Sequence, residues 1–174
     1  TNASQLAAII EKTIKYEQYQ FADDSYLNRV LLVGGKETSG SAPTCVNGQL
    51  NYTKEYFAGL DTSIYYNPSS SNYVSEIKWK INEGQAWINY SAHCDENGWS
   101  NPSLTNSSVS SMTNREKYSF FINNCCLSSR FDESECFAEK LLRAENKAAI
   151  GVIGGSNYTY WSEDFYWAVG AKSV

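Results

Sequence analysis

The chain of 174 residues has the length of one domain, and its hydrophobic fraction of 42% is enough to form a core. Its formal net charge of −5 argues against a nucleic-acid-binding surface, which is normally basic. Every apolar run is shorter than the roughly 18 residues of a membrane-spanning helix. No signal-peptide pattern opens the sequence, so we expect a mature or excised piece of a protein.

Helix-like and strand-like segments alternate along the chain. The apolar spacing over residues 4–18 predicts a helix with Asn2 or Ser4 as its cap, and the run R-V-L-L-V-G-G at 29–35 predicts a buried strand. Such alternation is typical of parallel β-α units, so we predict an α/β fold with helices on both faces of a mostly parallel sheet. The other predicted helices are 47–58, 72–82, 108–114, 133–145 and 160–169, and the other predicted strands are 61–66, 85–93, 117–126 and 148–155.

The cysteines are too few, in a chain of this length, to form a disulfide-stapled scaffold. Their number is odd, so at least one is free or pairs between molecules. Without a C-x-x-C pair, and with a single histidine, a structural zinc site is not expected. Adjacent cysteines do not readily bond to each other, because the ring would be too short for disulfide geometry. The five cysteines are Cys45, Cys94, Cys125, Cys126 and Cys136.

Three predicted strands end close to reactive or acidic side chains. His93 closes the third strand, Cys125 and Cys126 close the fourth, and Glu37 follows the first strand two residues beyond Gly35. Ligands of open parallel sheets bind at the carboxyl ends of the strands. If these strands are neighbours, a carboxylate, an imidazole and a thiol converge at one edge of the sheet.

That combination can cleave a peptide bond. A thiol is mostly protonated at neutral pH, and a nearby imidazole, or the N-terminus of the helix that follows, would stabilise its thiolate. The thiolate attacks a carbonyl, the imidazolium protonates the leaving amine, and water hydrolyses the thioester. A carboxylate behind the imidazole holds its orientation. Structural alternatives stay open, since cysteine is often buried and Glu37 lies in a polar loop.

Two motifs carry a family resemblance. With N-Y-S-A-H at 89–93 and I-N-N-C-C at 122–126, the sequence resembles the gingipain family of cysteine endopeptidases, relatives of caspases and legumain. Segments such as G-W-S-N-P-S-L, C-F-A-E and Y-W-S-E-D-F-Y-W-A-V-G extend the likeness over most of residues 80–171, and it is closer to the lysine-specific branch. The resemblance implies a caspase-like three-layer α/β/α sandwich.

The resemblance also implies catalytic roles. His93 would be the base and Cys126 the nucleophile, with Glu37 as the acidic third member. Alternation along the strand should then turn Cys125 away from Cys126 and into the core.

Three further residues match the family's substrate pocket. Asp164 would select lysine, Trp161 would wall the same pocket, and Ser91 would lie near it. A buried carboxylate discriminates strongly for a cation, because an uncharged substrate side chain leaves it unpaired. Without the resemblance, Asp164 and Glu163 are ordinary acids at a helix N-terminus.

Cys94 departs from the family pattern, which places glycine after the histidine. The backbone N–H of this position, with that of Cys126, would form the oxyanion hole. A non-glycine residue would be strained here if the position required a positive φ. We also expect a reversible disulfide between Cys94 and Cys126 that shuts the enzyme off.

The resemblance covers only part of the family's catalytic unit. It implies that residues 1–174 form a single catalytic domain from a longer, secreted or cell-surface, bacterial precursor, whose missing segments could be partners. No cofactor is required for the chemistry, although a structural calcium ion is allowed. Asp132 and Glu139 are candidate calcium ligands, but they also fit ordinary solvated helix acids.

These observations lead to one main functional hypothesis. We expect a cysteine endopeptidase that cleaves protein or peptide substrates after a basic residue, most simply lysine. The first alternative is a catalytically inactive homologue that binds proteins, supported by the substitution at Cys94. The second is a structural adhesion-type module, which would account for the Tyr- and Asn-rich surface but not for the thiol and the imidazole.

Overall fold

Strands and helices alternate along residues 2–169, which are the residues that the computed structural model of the chain describes. The strands are β1 (Arg29–Gly34), β2 (Asp61–Tyr65), β3 (Trp87–Ser91), β4 (Cys94–Asp95), β5 (Gly98–Trp99), β6 (Leu104–Thr105), β7 (Ser119–Asn124) and β8 (Ala149–Gly154). The helices are α1 (Ala3–Glu17), α2 (Ala42–Tyr56), α3 (Val74–Glu83), α4 (Asn106–Ser111), α5 (Phe137–Arg143) and α6 (Trp161–Val169).

The longer strands form one parallel sheet in the order β2-β1-β3-β7-β8. Strand β3 lies between β1 and β7, with Ser91 paired to Gly34 on one side and to Asn124 on the other. The carboxyl ends of β1, β3 and β7 are therefore side by side at one edge. This confirms the predicted parallel α/β fold and makes the three strands that end near candidate site residues direct neighbours.

Helices cover both faces of the sheet. Leu31 of β1 joins the main core, which also contains Ile77 of α3 and Phe137 of α5. The next residue, Leu32, packs on the opposite face against Leu50 of α2. Because successive strand residues point to opposite faces, each face needs its own apolar layer. The result is the predicted three-layer α/β/α sandwich.

A second, three-stranded antiparallel sheet is formed by β4, β5 and β6, where the sequence predicted only a long polar loop. Trp99 anchors this sheet to the core, because it stacks on Tyr90 with ring centroids 4.3 Å apart. Its indole N–H donates to the Asn123 side chain at 2.8 Å. Gly98 has a φ of +133°, and a β-carbon there would collide with the Leu104 carbonyl oxygen.

Helix α1 begins as the sequence predicts. The Asn2 side chain accepts from the Gln5 backbone N–H, and the Gln5 side chain accepts in return from the Asn2 N–H, so the pair forms a capping box. Within residues 2–169 no helix combines the length and the apolarity needed to cross a membrane.

Candidate functional site

The carboxyl edge of the parallel sheet brings the predicted base and the predicted nucleophile to one cavity. His93 lies two residues beyond the end of β3, and Cys126 lies two residues beyond the end of β7. Both line a cavity of about 410 Å³, which Trp161 and Asp164 line as well. The imidazole and the thiol, 33 positions apart in the chain by residue number, therefore face the same space.

The backbone of His93 is held by three hydrogen bonds. Its N–H donates to Glu37 Oε1 at 3.3 Å, while its carbonyl accepts from the Tyr90 hydroxyl at 2.8 Å and from the Ser100 N–H at 3.1 Å. The imidazole itself is 58% exposed and meets the edge of the Trp161 ring at a centroid distance of 5.2 Å. A fixed backbone with an open ring leaves the imidazole accessible to a substrate.

Glu37 lies behind the imidazole, as predicted for the third member. Its side chain is only 10% exposed, and Oε2 is 3.4 Å from His93 Nε2. A carboxylate at Nε2 favours the tautomer with its proton there, so Nδ1 is the nitrogen left to accept another proton. The loop carrying Glu37 begins at Gly35, where a β-carbon would collide with Ala92 and the Asn101 carbonyl.

Cys126 is a free thiol whose sulfur forms its hydrogen bonds with Thr159. The Thr159 N–H donates to Sγ at 3.4 Å, and the thiol lies 3.6 Å from the Thr159 carbonyl oxygen and hydroxyl. The sequence suggested that the following helix would stabilise a thiolate, but α5 begins only at Phe137. The N–H of Thr159 takes that place, and no motif marked this residue.

Asp164 is a buried carboxylate in the wall of the cavity. It is 7% exposed, and the Thr159 hydroxyl donates to its Oδ2 at 2.9 Å. Burial raises the pKa of Asp164, and the charge of nearby Glu163 acts in the same direction, whereas the Thr159 hydrogen bond and His93 oppose it. Within the described part of the chain, no lysine or arginine forms an ion pair with Asp164.

A second cavity of about 450 Å³ adjoins the first and shares Tyr158, Thr159, Tyr160 and Asp164 with it. Glu163 lines the second cavity but not the first. The Asn124 amide fixes the wall between sheet and helix, since it donates to the Asp164 carbonyl at 3.2 Å. The start of α6 is thereby tied to the end of β7.

The remaining predicted pocket residues differ in their placement. Trp161 lines the first cavity beside His93. Ser91 is 1% exposed, accepts from the Asn89 side-chain amide at 3.3 Å, and lines neither cavity. The structure therefore places Ser91 inside the sheet and not in the wall of either cavity.

Cys94 is bonded to Cys125, with Cα atoms 5.5 Å apart. The expected disulfide between Cys94 and Cys126 is therefore wrong, because the partner is the neighbouring cysteine and Cys126 stays free. The burial of Cys125, which is 1% exposed, agrees with its predicted orientation into the core. Cys94 opens strand β4 and is not among the residues with positive φ, so the condition under which a non-glycine residue would be strained is not met.

The two candidate calcium ligands already have partners. Asp132 pairs with Arg130 at 3.2 Å, and Glu139 accepts from the Cys136 N–H at 3.1 Å and pairs with Arg143. Across residues 2–169 no three or more histidine, cysteine, aspartate or glutamate side chains group together as metal ligands. Both carboxylates are therefore engaged by neighbouring side chains or backbone in this structure, and calcium binding stays a prediction.

Comparison with known proteins agrees with the family resemblance of the sequence. The family model of peptidase family C25 matches residues 1–172. Lys-gingipain of Porphyromonas gingivalis is 35% identical over 178 aligned residues, which cover all of this chain and 10% of that protein. The chain thus spans about a tenth of this relative's length. These matches confirm the resemblance indicated by the N-Y-S-A-H and N-N-C-C motifs.

Solved structures share the fold. One described as a protease is 34% identical with a TM-score of 0.86, covering 98% of this chain and 38% of that one. The crystal structure of the Arg-specific cysteine proteinase gingipain R is 22% identical with a TM-score of 0.81, covering 96% and 40%. At the lower identity the likeness shows the fold alone.

Proposed function

Because the chain belongs to peptidase family C25, we propose that it carries the active site of a cysteine endopeptidase that cleaves after lysine. One observation carries this proposal: the Cys126 thiol and the His93 imidazole line the same cavity, and the Glu37 carboxylate lies 3.4 Å behind the imidazole. A nucleophile, a base and an orienting group in that order are the requirements for acyl transfer.

The reaction begins with the thiol proton. His93 Nδ1 takes the proton of Cys126, while Glu37 holds the other ring nitrogen and stabilises the imidazolium. The Thr159 N–H at 3.4 Å from the sulfur stabilises the thiolate. The thiolate then attacks the carbonyl carbon of the scissile bond.

Collapse of the tetrahedral intermediate breaks the C–N bond. His93 gives its proton to the leaving amine, and the acyl group stays on the Cys126 sulfur as a thioester. Water, deprotonated by His93, hydrolyses the thioester and restores the thiol. The backbone N–H groups of Cys94 and Cys126 are the proposed donors to the oxyanion, each contributing about 10²–10³ in rate.

Selection of lysine is assigned to Asp164. A buried carboxylate without a counter-charge is costly, and a substrate ammonium would supply the missing charge. The hydroxyl of Thr159 holds the carboxylate at 2.9 Å, and Trp161 forms the adjacent wall. The preference for lysine over arginine is supported by the 35% identity to Lys-gingipain, against 28% for gingipain R2 over a shorter alignment.

The disulfide supports an extracytoplasmic setting. Cys94 and Cys125 are bonded to each other, and such bonds persist in oxidising compartments outside the cytoplasm. An extracytoplasmic, bacterial peptidase is therefore part of the proposal. Its substrates are proteins or peptides, and the remainder of a longer protein would be its partner, since the matched solved chains are more than twice as long.

The test uses full-length protein and matched fluorogenic peptides ending in lysine or arginine. We expect turnover of the lysyl peptide by wild type and none by a folded Cys126→Ala variant. A folded wild type without turnover would favour the inactive, protein-binding homologue. Turnover that survives Cys126→Ala would remove the nucleophile assignment, and cleavage of the arginyl peptide alone would remove the role of Asp164.

A further inference from the structure

The two loops that carry His93 and Cys126 are joined by a covalent bond. Cys94 directly follows His93, Cys125 directly precedes Cys126, and these two cysteines form a disulfide. The bond therefore spans from the residue after the proposed base to the residue before the proposed nucleophile. The side chain of neither cysteine reacts in the proposed chemical steps.

The sheet itself does not hold these loops together. The last paired residues of β3 and β7 are Ser91 and Asn124, so both reactive side chains lie beyond the end of the ladder. Past that point the hydrogen bonds of His93 and of the Cys126 sulfur go to different residues, and the only shared contact among the described residues is with the segment of Thr159 and Trp161, whose ring meets the His93 ring. His93 is held by Glu37, Tyr90 and Ser100, and the Cys126 sulfur is held by Thr159.

The loop after the nucleophile is also in a costly conformation. Leu127 has a φ of +58° although it is not glycine, and its N–H donates to the Asn157 carbonyl at 3.1 Å. A left-handed residue with a side chain is strained and persists only where the surroundings enforce it. The buried disulfide at Cys125, two positions before Leu127, restrains the start of this turn.

From this arrangement we propose that the Cys94–Cys125 disulfide is a positioning clamp that sets the separation of the His93 imidazole and the Cys126 sulfur. The effect on turnover rests on the proposed function, whereas the effect on Cys126 reactivity does not. The clamp has an unusual consequence for a thiol enzyme. A reductant that leaves Cys126 as a thiol but opens the disulfide lowers activity instead of raising it.

The experiment is a double-mutant cycle on the full-length protein. Cys94→Ala/Cys125→Ala removes the clamp and keeps both backbone N–H groups, and Cys45→Ala is the matched control because it removes a free cysteine of α2. Each is made with and without His93→Ala. The readout is the rate at which iodoacetamide alkylates Cys126, followed by peptide mass spectrometry.

With the clamp intact, in wild type and in Cys45→Ala, His93→Ala should slow alkylation of Cys126 by about 10-fold, and without the clamp by less than about 2-fold. In the lysyl-peptide assay the clamp-free protein should lose about 10–100-fold in kcat with little change in KM. An equal effect of His93→Ala with and without the clamp, or none with the clamp intact, would overturn the proposal. A purely structural disulfide would lower the melting temperature and leave kcat of the folded protein unchanged.

The experiments distinguish a failure of the clamp proposal from a failure of the peptidase proposal. If wild type turns over no peptide, yet the effect of His93→Ala on alkylation disappears without the clamp, the clamp stands and the peptidase proposal falls. If the double variant does not fold by circular dichroism, the same cycle is run on wild type and His93→Ala before and after a phosphine reductant. The phosphine takes oxygen from water, and each of the two sulfurs gains a proton.

Discussion

Two buried ionisable side chains lie at opposite ends of the parallel sheet, and they differ in the partners that the protein gives them. Lys12, on α1, is 2% exposed, and its ammonium donates to the carbonyls of Lys147 at 3.2 Å and Ala149 at 2.7 Å, where β8 begins. Asp164, at the carboxyl end, is 7% exposed and receives one hydroxyl donor, from Thr159. The lysine is satisfied by the protein, while the carboxylate has no cationic partner among residues 2–169.

This difference separates a structural charge from a functional one. Burying an ion is expensive, so a charge that serves only the fold is surrounded by its own partners. A buried charge that lacks a counter-charge and faces a cavity is arranged for a ligand of opposite sign. Substitutions at the Lys12 end should therefore change stability, and substitutions at the Asp164 end should change activity.

The largest effect is expected at the carboxyl edge, from Cys126→Ala. Loss of the nucleophile should lower kcat for a lysyl peptide by at least about 10⁴-fold, because no other group can form the thioester. The free energy of unfolding, measured in urea, should stay within about 1 kcal/mol, since the side chain is only partly buried. Cys45→Ala is the control and should retain full activity.

The substitution Asp164→Asn should have the next largest effect on activity. We expect kcat/KM for the lysyl peptide to fall by about 10²–10³, because the substrate ammonium loses its partner. Glu163→Gln is the matched control, since this carboxylate lines only the second cavity, and its effect should be much smaller. Equal losses from the two variants would mean that general negative charge, and not Asp164, selects the substrate.

The Asp164→Asn variant should not lower the free energy of unfolding. Burial raises the pKa of Asp164, so the folded state binds this proton more tightly than the unfolded state. The wild type therefore loses stability as the pH rises from the ordinary value of 3.8 through the raised pKa. The amide of the Asp164→Asn variant cannot ionise, so urea unfolding at pH 4 and pH 7 should show a smaller loss for this variant than for wild type.

Lys12→Met tests the opposite end. It leaves buried carbonyls without a donor, so the free energy of unfolding should fall by about 2–3 kcal/mol. The exposed Lys54 of α2 offers a control, and Lys54→Met should change stability by less than about 0.5 kcal/mol. The kcat of folded Lys12→Met protein should equal that of wild type. A stable variant with impaired kcat would break the contrast between the two ends.

The smallest expected effect is a pH dependence of stability. Burial lowers the pKa of Lys12 to about 8, from an ordinary value of 10.5. Between these values the unfolded state binds more protons than the folded state, so stability should rise with pH, by about 1–2 kcal/mol. Burial raises the pKa of Tyr26 and Tyr90, which opposes the rise only at higher pH. Urea unfolding from pH 7 to 10 should show this rise in wild type and not in Lys12→Met.

The sequence predicted the long elements well, because their apolar periodicity is strong. Helix α1 illustrates the limit of that signal. Its apolar spacing predicted a helix, yet Leu6, Ile10 and Ile14 are about half exposed, while Ala8 and Lys12 are buried. Periodicity fixes the type of element, but the side that is buried depends on what packs against it.

Site residues that directly follow a strand could be predicted from the sequence. Site residues that come from loops distant in the chain could not. Glu37, His93 and Cys126 follow strands, so the topology places them together. Thr159 lies in the loop before α6, and only the fold brings it to the Cys126 sulfur. The strands of the small sheet around Cys94 are two residues long, too short for any periodicity to reveal.

The most direct measurement of the central claim is covalent labelling of the full-length protein with two matched peptidyl acyloxymethyl ketones. One ends in lysine and the other in norleucine, which has the same carbon chain without the ammonium. The lysyl reagent should modify Cys126 alone, at least about 100-fold faster than the norleucyl reagent, and this preference should vanish in Asp164→Asn. Labelling at another residue, or equal rates for the two reagents in wild type, would contradict an active site that joins the Cys126 nucleophile to a lysine-selecting Asp164.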